Sequence, residues 1–228
     1  MRPPAQERPL RFSPQIKKEG INLACYVFGA GSHYGLAARP EPGDTVIAAD
    51  GGWKICEKEN IVPTLLIGDF DSLEQIPDFP STIRLPVEKD DTDTMFALKE
   101  GLLRGETLFH IYGGLGGSRT DHTVANLQAL VYLAEHGARG ILYGNDETFT
   151  AIRNGSISFP PYESGILSVF CAGRDAEGVS IKGAHYPLND AVLTAGFPLG
   201  VSNHFQGRPV EISVKTGSLI IYTGQLKK

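Results

Sequence analysis

The chain is poor in the features that would assign it to several familiar classes. Its 228 residues include only three cysteines, Cys25, Cys56 and Cys171, with no Cys-x-x-Cys pair. That excludes a zinc ribbon and argues against a disulfide framework. Cys25 and Cys171 lie in apolar runs and read as reduced core thiols. No apolar run approaches the ~18 residues that a transmembrane helix needs. Acidic residues (26) outnumber basic ones (21), for a net charge of -5. No basic stripe is therefore present to neutralise a nucleic-acid backbone. Internal repeats and low-complexity tracts are absent too. Residues 1–21 carry charge but no apolar stretch of the signal-peptide kind. They are expected to form a poorly ordered extension, and the compartment is expected to be the cytoplasm, with no membrane or nucleic-acid partner.

What is present is ordinary in bulk: 41% hydrophobic and 21% charged residues, enough for one large core or two modest ones. Up to about residue 154, short β-like runs alternate with helical patterns. Strands are expected at Ala24–Phe28, Thr45–Ala49, Leu65–Ile67, Thr82–Leu85 and Leu108–Tyr112. Helices are expected at Trp53–Asn60, Asp93–Arg104 and Asp121–His136, with Met95, Leu98 and Leu102 on one face of the second. Val124, Leu127, Val131 and Ala134 share a face of the third. This alternation predicts a mainly parallel sheet covered by helices on both faces. Ligands of such sheets bind outside the carboxyl ends of the strands. After Arg153-Asn154-Gly155 the segments Ile166–Cys171, Val179–Ile181, Ala191–Thr194, Val210–Val214 and Leu219–Thr223 are short, β-rich and separated by Gly, Pro and Asn. An α/β domain over 22–154 and an antiparallel sandwich or barrel over 155–228 are expected.

Three acidic strings carry the chemistry: Ala49-Asp50-Gly51-Gly52, Gly68-Asp69-Phe70-Asp71-Ser72 and Lys89-Asp90-Asp91-Thr92-Asp93. Each falls where a strand ends or a helix begins. Two like charges ~5 Å apart cost ~3 kcal/mol at an effective dielectric of ~20, so a pocket that gathers several calls for a cation. If the backbone is extended, Asp69 and Asp71 project to the same side with Cβ atoms ~6–7 Å apart, suited to bracketing one Mg²⁺. The competing reading of each string is a turn or a helix cap. Asp93 could reach the metal or act as a base, and Lys89 could contact a phosphate.

The loop Gly113-Gly114-Leu115-Gly116-Gly117-Ser118-Arg119-Thr120-Asp121-His122 joins a strand to a helix. Its free N–H groups and Arg119 suit an anion. It lacks the ending of a P-loop, and Ser118 with Asp121 could instead form a capping-box variant. In the second half, Gly200-Val201-Ser202-Asn203-His204-Phe205 is the best site candidate. Ser202 and Asn203 offer directional hydrogen bonds and Phe205 a stacking face, although a polar inter-strand turn accounts for it equally well. Trp53 reads as a packing residue.

Taken in order, these strings resemble thiamine pyrophosphokinase in its bacterial form. The likeness runs from about residue 22 to 224. It includes Arg119-Thr120-Asp121-His122 with Asn126, Pro187-Leu188, Gly200-Val201-Ser202-Asn203 and Gly217-Ser218-Leu219. It departs at Ser118, where the family loop commonly has glycine. The resemblance implies a Rossmann-like N-terminal α/β domain, a C-terminal β-sandwich that binds thiamine, and a homodimer with its sites between subunits. It implies transfer of a pyrophosphoryl group from ATP to thiamine. By carry-over, Asp50, Asp69, Asp71 and Asp93 would hold Mg²⁺ and the triphosphate, and Lys89 and Asp90 would border the site. Arg119 and Asp121 would hold the nucleotide, Ser202 and Asn203 would contact thiamine, and Asp71 or Asp93 would take the proton. Two other functions remain open: a Mg²⁺-dependent kinase or nucleotidyltransferase acting on another small alcohol, and a nucleotide-sensing module without turnover.

Overall fold

A computed structural model describes residues 23–70 and 79–227. The expected extension over 1–21, and Asp71 with Ser72, lie outside the described residues. Six strands form a parallel run: β1 (Cys25–Phe28), β2 (Thr45–Ala49), β3 (Leu65–Gly68), β4 (Thr82–Arg84), β5 (Leu108–Tyr112) and β6 (Arg139–Tyr143). Their spatial order is β4-β3-β2-β1-β5-β6. The chain thus builds outward from β1 in one direction, then returns to place β5 and β6 on its other side. The point of reversal lies between β1 and β5, where such sheets open a crevice at the carboxyl edge.

Both faces of this run are buried, which is why its strands are nearly continuous apolar stretches. Side chains alternate between the faces. Cys25, Val27, Ile47, Ala49, Leu65, Ile67, Phe109 and Ile111 point to one core, covered by α2 (Asp93–Leu103) and α3 (Thr120–Glu135). Tyr26, Phe28, Val46, Ala48, Leu66 and Tyr112 point to the other, covered by α1 (Trp53–Glu59) and by residues from the β1–β2 connection. In α2, Leu98 and Leu102 are buried as the pattern predicts, and Thr92 caps the helix by accepting the Met95 N–H at 3.1 Å. In α3 the buried line is Asn126, Ala129, Leu130 and Leu133. Leu127, Val131 and Ala134 only flank that core, and Val124 is exposed. The expected face is therefore rotated by part of a turn, because α3 beds over β6 and over two later strands, β7 (Glu147–Arg153) and β13 (Thr216–Lys227).

No helix covers the second face between β1 and β2. A strap of irregular chain does so instead, held to a ladder of rings. Parallel register sets Tyr26 beside His110 and Phe28 beside Tyr112. The rings stack at centroid distances of 4.6 and 5.5 Å, and Tyr143 of β6 stacks on Tyr112 at 4.5 Å. The Tyr112 hydroxyl donates to the Ala38 carbonyl and accepts from the Ala38 N–H, both at 2.9 Å. The Tyr26 hydroxyl donates to the Arg39 carbonyl at 3.0 Å. Glu59, at the end of α1, receives both His33 Nε2 (2.6 Å) and Arg39 (2.8 Å). The His33 hydrogen bond, then Arg39, holds the Glu59 carboxyl below its usual range against the opposing effect of desolvation.

Beyond β6 the sheet continues without a break. β7 (Glu147–Arg153) is antiparallel to β6, and it pairs with β13 (Thr216–Lys227). β9 (Ser164–Lys182) is one 19-residue strand where two short ones are expected. Its first half pairs with β13 and with β11 (Gly200–His204). Its second half pairs with β10 (Leu188–Leu193) and β12 (Val210–Ser213), and β12 also pairs with β8 (Ser156–Phe159). Gly173 and Gly178, at φ 81° and 66°, let β9 pass from one sheet to the other. The two β layers enclose a second core that includes Ile152, Leu167, Ile181, Ile212 and Leu219. Two expectations change here. Residues 200–204 form a strand rather than a turn. Phe205 is buried edge-on against Phe159 and Tyr162, so it offers no stacking face. Among the described residues no helix is long and apolar enough to cross a membrane.

The strap depends on a phenol, so Tyr112→Phe is expected to lower unfolding free energy by about 1–2 kcal/mol, since both polar groups of Ala38 lose their partner. Urea denaturation measures this; an unchanged midpoint would mean that the strap is held by other contacts.

Candidate functional site

The crevice at the centre of the carboxyl edge is lined by backbone. The Gly29 N–H donates to the Tyr112 carbonyl (2.8 Å), Gly31 to Gly113 (2.7 Å) and Ser32 to Leu115 (3.1 Å). A Cβ on Gly31 would lie 2.6 Å from the Gly113 oxygen, and one on Gly113 only 2.3 Å from the Gly29 oxygen. Glycine is required at both positions because two loop backbones touch there. Buried Asn126 donates to the Gly114 carbonyl at 2.8 Å and fixes the loop from below. The N–H groups of residues 29, 31 and 32 are thus spent on the neighbouring loop. Anion-binding capacity belongs to the 113–119 loop and the start of α3. That helix has no side-chain cap, so the capping-box reading of Ser118 and Asp121 does not hold. Positive φ falls on Gly116 (71°) and Gly117 (82°), and Ser118 is accommodated without it.

The acidic strings gather on the β2–β3 side of that crevice. Asp50 follows β2 and opens a single 3₁₀ turn, Asp50–Gly52. A Cβ on Gly68 would come within 3.1 Å of the Asp50 Cα, so the ends of β2 and β3 are in direct contact. Asp69 follows β3 on the same edge. Lys89 reaches in from the segment before α2 and joins two of the strings: its Nζ lies 2.6 Å from Asp69 Oδ2 and 2.8 Å from Asp93 Oδ1. The Lys89 and Asp69 side chains are only 10% and 11% exposed. Burial would lower the lysine pKa, but the hydrogen bonds it donates to the two carboxylates, with their charge, outweigh it and the net shift is upward. Asp93 opens α2, and the hydroxyl of its neighbour Thr94 comes within 3.3 Å of where a Gly29 Cβ would be. Asp91 instead pairs outward with Lys99 at 2.7 Å, and Asp90 is exposed.

Two backbone outliers accompany these residues. Asp50 has φ 46° and Phe70, buried at 2%, has φ 61°. A bulky residue in the left-handed region costs about 1–3 kcal/mol and marks functional segments more often than neutral ones. Phe70 also alters one premise. Phe70 is left-handed rather than extended, so the extended backbone assumed for this string does not hold at that residue. Among the described residues no group of three or more His, Cys, Asp or Glu stands ready to enclose a metal. Asp69 and Asp93 nonetheless converge on one cation and offer only hard oxygen donors, the donor set that Mg²⁺ takes.

The remaining predicted residues are elsewhere. Arg119 and Asp121 form an exposed pair at the glycine loop, and the Arg119 hydrogen bond holds the Asp121 carboxyl below its usual range. Ser202 is exposed on a bulge of β11 with φ 61°, its N–H donating to Ser168 Oγ at 3.1 Å. Asn203 is buried. Its amide donates to the Tyr186 carbonyl (2.7 Å), while its oxygen accepts from the N–H groups of Tyr186 (2.8 Å) and His204 (2.9 Å). Its side chain is therefore a staple for the 185–186 turn. Close to Ser202 in the chain, the apolar side chains of Phe197, Leu199 and Val201 are exposed, as is Tyr186 on the turn that Asn203 holds. β11 is seven strand spacings from β2, or on the order of 30 Å within one chain.

Lys89→Met leaves Asp69 and Asp93 without their shared ammonium. In metal-free buffer it is expected to cost about 3 kcal/mol, the low end of the range for breaking a largely buried pair. Mg²⁺ should recover part of the loss. Thermal unfolding with EDTA and then with Mg²⁺ checks both; a variant as stable as the parent in EDTA would show that the pair contributes nothing.

Comparison with known proteins adds a separate line of evidence. The model of the thiamin pyrophosphokinase catalytic domain matches residues 41–142, and that of the thiamin pyrophosphokinase vitamin B1 binding domain matches 156–219. A thiamine pyrophosphokinase of Bacillus subtilis (strain 168) is 28% identical over 194 residues, 77% of this chain and 85% of the relative. The crystal structure of a Bacillus subtilis thiamine pyrophosphokinase superposes with TM-score 0.78 at 24% identity, covering 88% of this chain and 98% of that one. For a thiamin pyrophosphokinase from Candida albicans the TM-score is 0.73 at 12% identity, with 89% of each chain covered. At these identities the structural likeness speaks to the fold alone.

Proposed function

The chain belongs to the thiamin pyrophosphokinase family, and from that premise we infer that it transfers the pyrophosphoryl group of ATP to the hydroxyethyl oxygen of thiamine. The products are thiamine diphosphate and AMP. The observation that carries this reading at the level of the site is the convergence of Asp69 and Asp93 on one cation position, beside a glycine loop at the point where strand order reverses. In this reading residues 22–154 form a Rossmann-like catalytic domain, and 155–228 form a thiamine-binding sandwich, within a cytoplasmic enzyme.

Asp69 and Asp93 would hold Mg²⁺, with Asp50 and Asp71 completing the set, and the ion would neutralise charge on the β- and γ-phosphates and polarise the reacting phosphorus. The protein's own groups do the rest by position and charge. Lys89, released from the carboxylates, can donate to phosphoryl oxygens from the same place. The amides of the glycine loop and the Arg119 fork bind the part of the triphosphate that leaves as AMP, and Asp121 orients Arg119. Asp93 or Asp71 accepts the thiamine hydroxyl proton, while Asp90 borders the entrance. Thiamine is a cation, which an acidic pocket favours. The exposed Ser202 and the exposed apolar residues near it in the chain form the vitamin's surface, with the neighbouring turn held by Asn203.

Those two surfaces are too far apart within one chain to share a substrate. A homodimer in which β11 of one copy faces the acidic edge of the other brings them together, and a two-fold arrangement supplies two such sites. ATP and thiamine supplied with Mg²⁺ are expected to give AMP and thiamine diphosphate in equal amounts. ADP, or free pyrophosphate, would identify a different transferase, and ATP binding without AMP formation would indicate a sensing module. Asp93→Asn is expected to lower turnover at least about a hundredfold, as loss of a proton acceptor does.

The shared site has its own test. Ser202→Lys places a cation against cationic thiamine and should be inactive, as should Asp93→Asn. If sites form between copies, refolding the two variants together restores about a quarter of parental activity, from the intact site in each mixed dimer. No recovery would place each site within one chain.

A further inference from the structure

Glu59 is out of place as a helix residue. It closes the seven-residue α1, where the helix dipole disfavours an acid, and the reaction proposed above does not use it. Its partners come from both ends of the strap. His33 Nε2 donates to Glu59 Oε1 at 2.6 Å, and Arg39 donates to Oε2 at 2.8 Å and to the Glu59 carbonyl at 2.9 Å. The His33 side chain is 9% exposed, and its Nδ1 is buried with no hydrogen-bond partner among the described residues. Hydrogen bonding therefore fixes this ring at Nε2, through Glu59.

His33 stands between two residues that bear on the glycine loop. The Ser32 N–H donates to the Leu115 carbonyl at 3.1 Å. A Cβ on Gly116 would lie 2.7 Å from Ser32 Oγ and 2.5 Å from the Tyr34 hydroxyl. Residues 32 and 34 thus close over Gly116, while the residue between them reaches back to α1. Gly116 and Gly117 both stand at positive φ, 71° and 82°. Glycine enters that conformation without steric cost and leaves it as readily. Asn126 fixes the loop at Gly114, two residues before this pair. The pair itself is steadied from the strap.

We propose that Glu59 is a positioning residue for the transfer: through His33 it holds Ser32 and Tyr34 against Gly116, and so keeps the amides of the glycine loop aligned for phosphate. The inference rests on the reading of that loop as a phosphate cradle and adds a remote residue that sets its shape. Glu59 touches no substrate; along α1 it lies about 9 Å from Trp53, the residue that follows the Asp50 turn. A bond to a carboxylate is stronger than one between neutral groups, which suits a contact that must hold a mobile pair of glycines. The strap has other fastenings, Tyr112 on Ala38 and Tyr26 on Arg39, but they act at its far end. His33 is the anchor next to the loop. Loop amides that grip the departing part of the triphosphate do so before and during transfer. Loosening them should therefore weaken ATP binding more than it slows the chemical step.

Glu59→Ala removes the acceptor and leaves α1 with its best helix former. It is expected to raise KM for ATP about tenfold, with kcat and KM for thiamine within about twofold of parental values. Glu59→Gln keeps an acceptor oxygen for His33 and should restore most of the loss. His33→Ala should match Glu59→Ala, and the double variant should be no worse than either, as two residues acting through one bond require. Arg39→Ala cuts the other strap bond and should leave KM for ATP near the parental value. A fall in kcat at unchanged KM, an equal effect from Arg39→Ala, or additive losses in the double variant would each overturn the proposal and leave Glu59 a strap fastening only. Hydrogen exchange supplies a readout that needs no turnover. Amides in the peptide spanning residues 113–119 should exchange about tenfold faster in Glu59→Ala, and at the parental rate in Glu59→Gln. Unchanged exchange in Glu59→Ala would sink the proposal even if the parent turns ATP over. If the loop exchanges faster but the parent forms no AMP, the link from Glu59 to the loop stands and the transferase reading fails.

Discussion

Two loop backbones in contact at the centre of the sheet are the constraint around which the rest is arranged. The turns after β1 and β5 meet so closely that a single Cβ on Gly31 or Gly113 would overlap the opposing carbonyl. Three N–H···O bonds hold the loops together, and Asn126 anchors one of them to α3. This contact fixes the point from which strand order runs outward in both directions. It also consumes the amides on the β1 side, so a ligand is directed to the β5 side. The geometry of the crevice is thus set by main chain and a buried amide, which do not repack easily.

Charge is the second constraint, and it acts against folding. Carboxylates from three separate strings approach one another at adjoining strand ends, where each repulsion costs a few kcal/mol at moderate dielectric. Lys89 resolves this locally by bonding Asp69 and Asp93 at once. A divalent ion could take the ammonium's place, so in the proposed function the arrangement that permits folding would also keep the carboxylates aligned for a metal. Left-handed backbone at Asp50 and Phe70 is a further local cost, tolerated because Gly52 and Gly68 let neighbouring strands close around it.

Much of this was legible in the chain, for reasons that differ by residue. β2 and β5 were readable to the residue because apolar runs stop abruptly at Asp50 and Gly113. α2 was readable because Thr92 is a cap and Leu98 and Leu102 share a face. β6 and β7 were not anticipated: Gly140 and the threonines of β7 dilute their hydrophobic signal, although Gly144-Asn145-Asp146 between them is a usable hairpin cue. β9 was broken in two because its exposed middle, around Arg174 and Asp175, resembles a loop. For the site, residue types pointed correctly to a strand edge rich in carboxylates, but not to their pairing. Lys89 and Asp69 are twenty residues apart, and only the fold brings them together. The same limit applies to Phe205, whose aromatic ring suggested a ligand contact and is instead core, and to Asn203, whose amide is bonded to the backbone of Tyr186 and His204.

The strap between β1 and β2 shows how one sequence choice serves both core and site. An ordinary crossover would place a helix on that face, and a helix would stand away from the carboxyl edge. Here the apolar face is closed by stacked rings whose hydroxyls hold irregular chain at Ala38 and Arg39. Burial raises the pKa of Tyr112 and Tyr143, so both phenols stay protonated at neutral pH and the bonds they make persist. Because the chain is fixed at residue 38, Tyr34 and Ala37 just before it are set at a defined height above the glycine loop. Shape at the edge is therefore inherited from the interior. A change that loosened the ring ladder would be felt at the glycine-loop end of the crevice before it reached the acidic end, which is supported separately by α2 and Lys89.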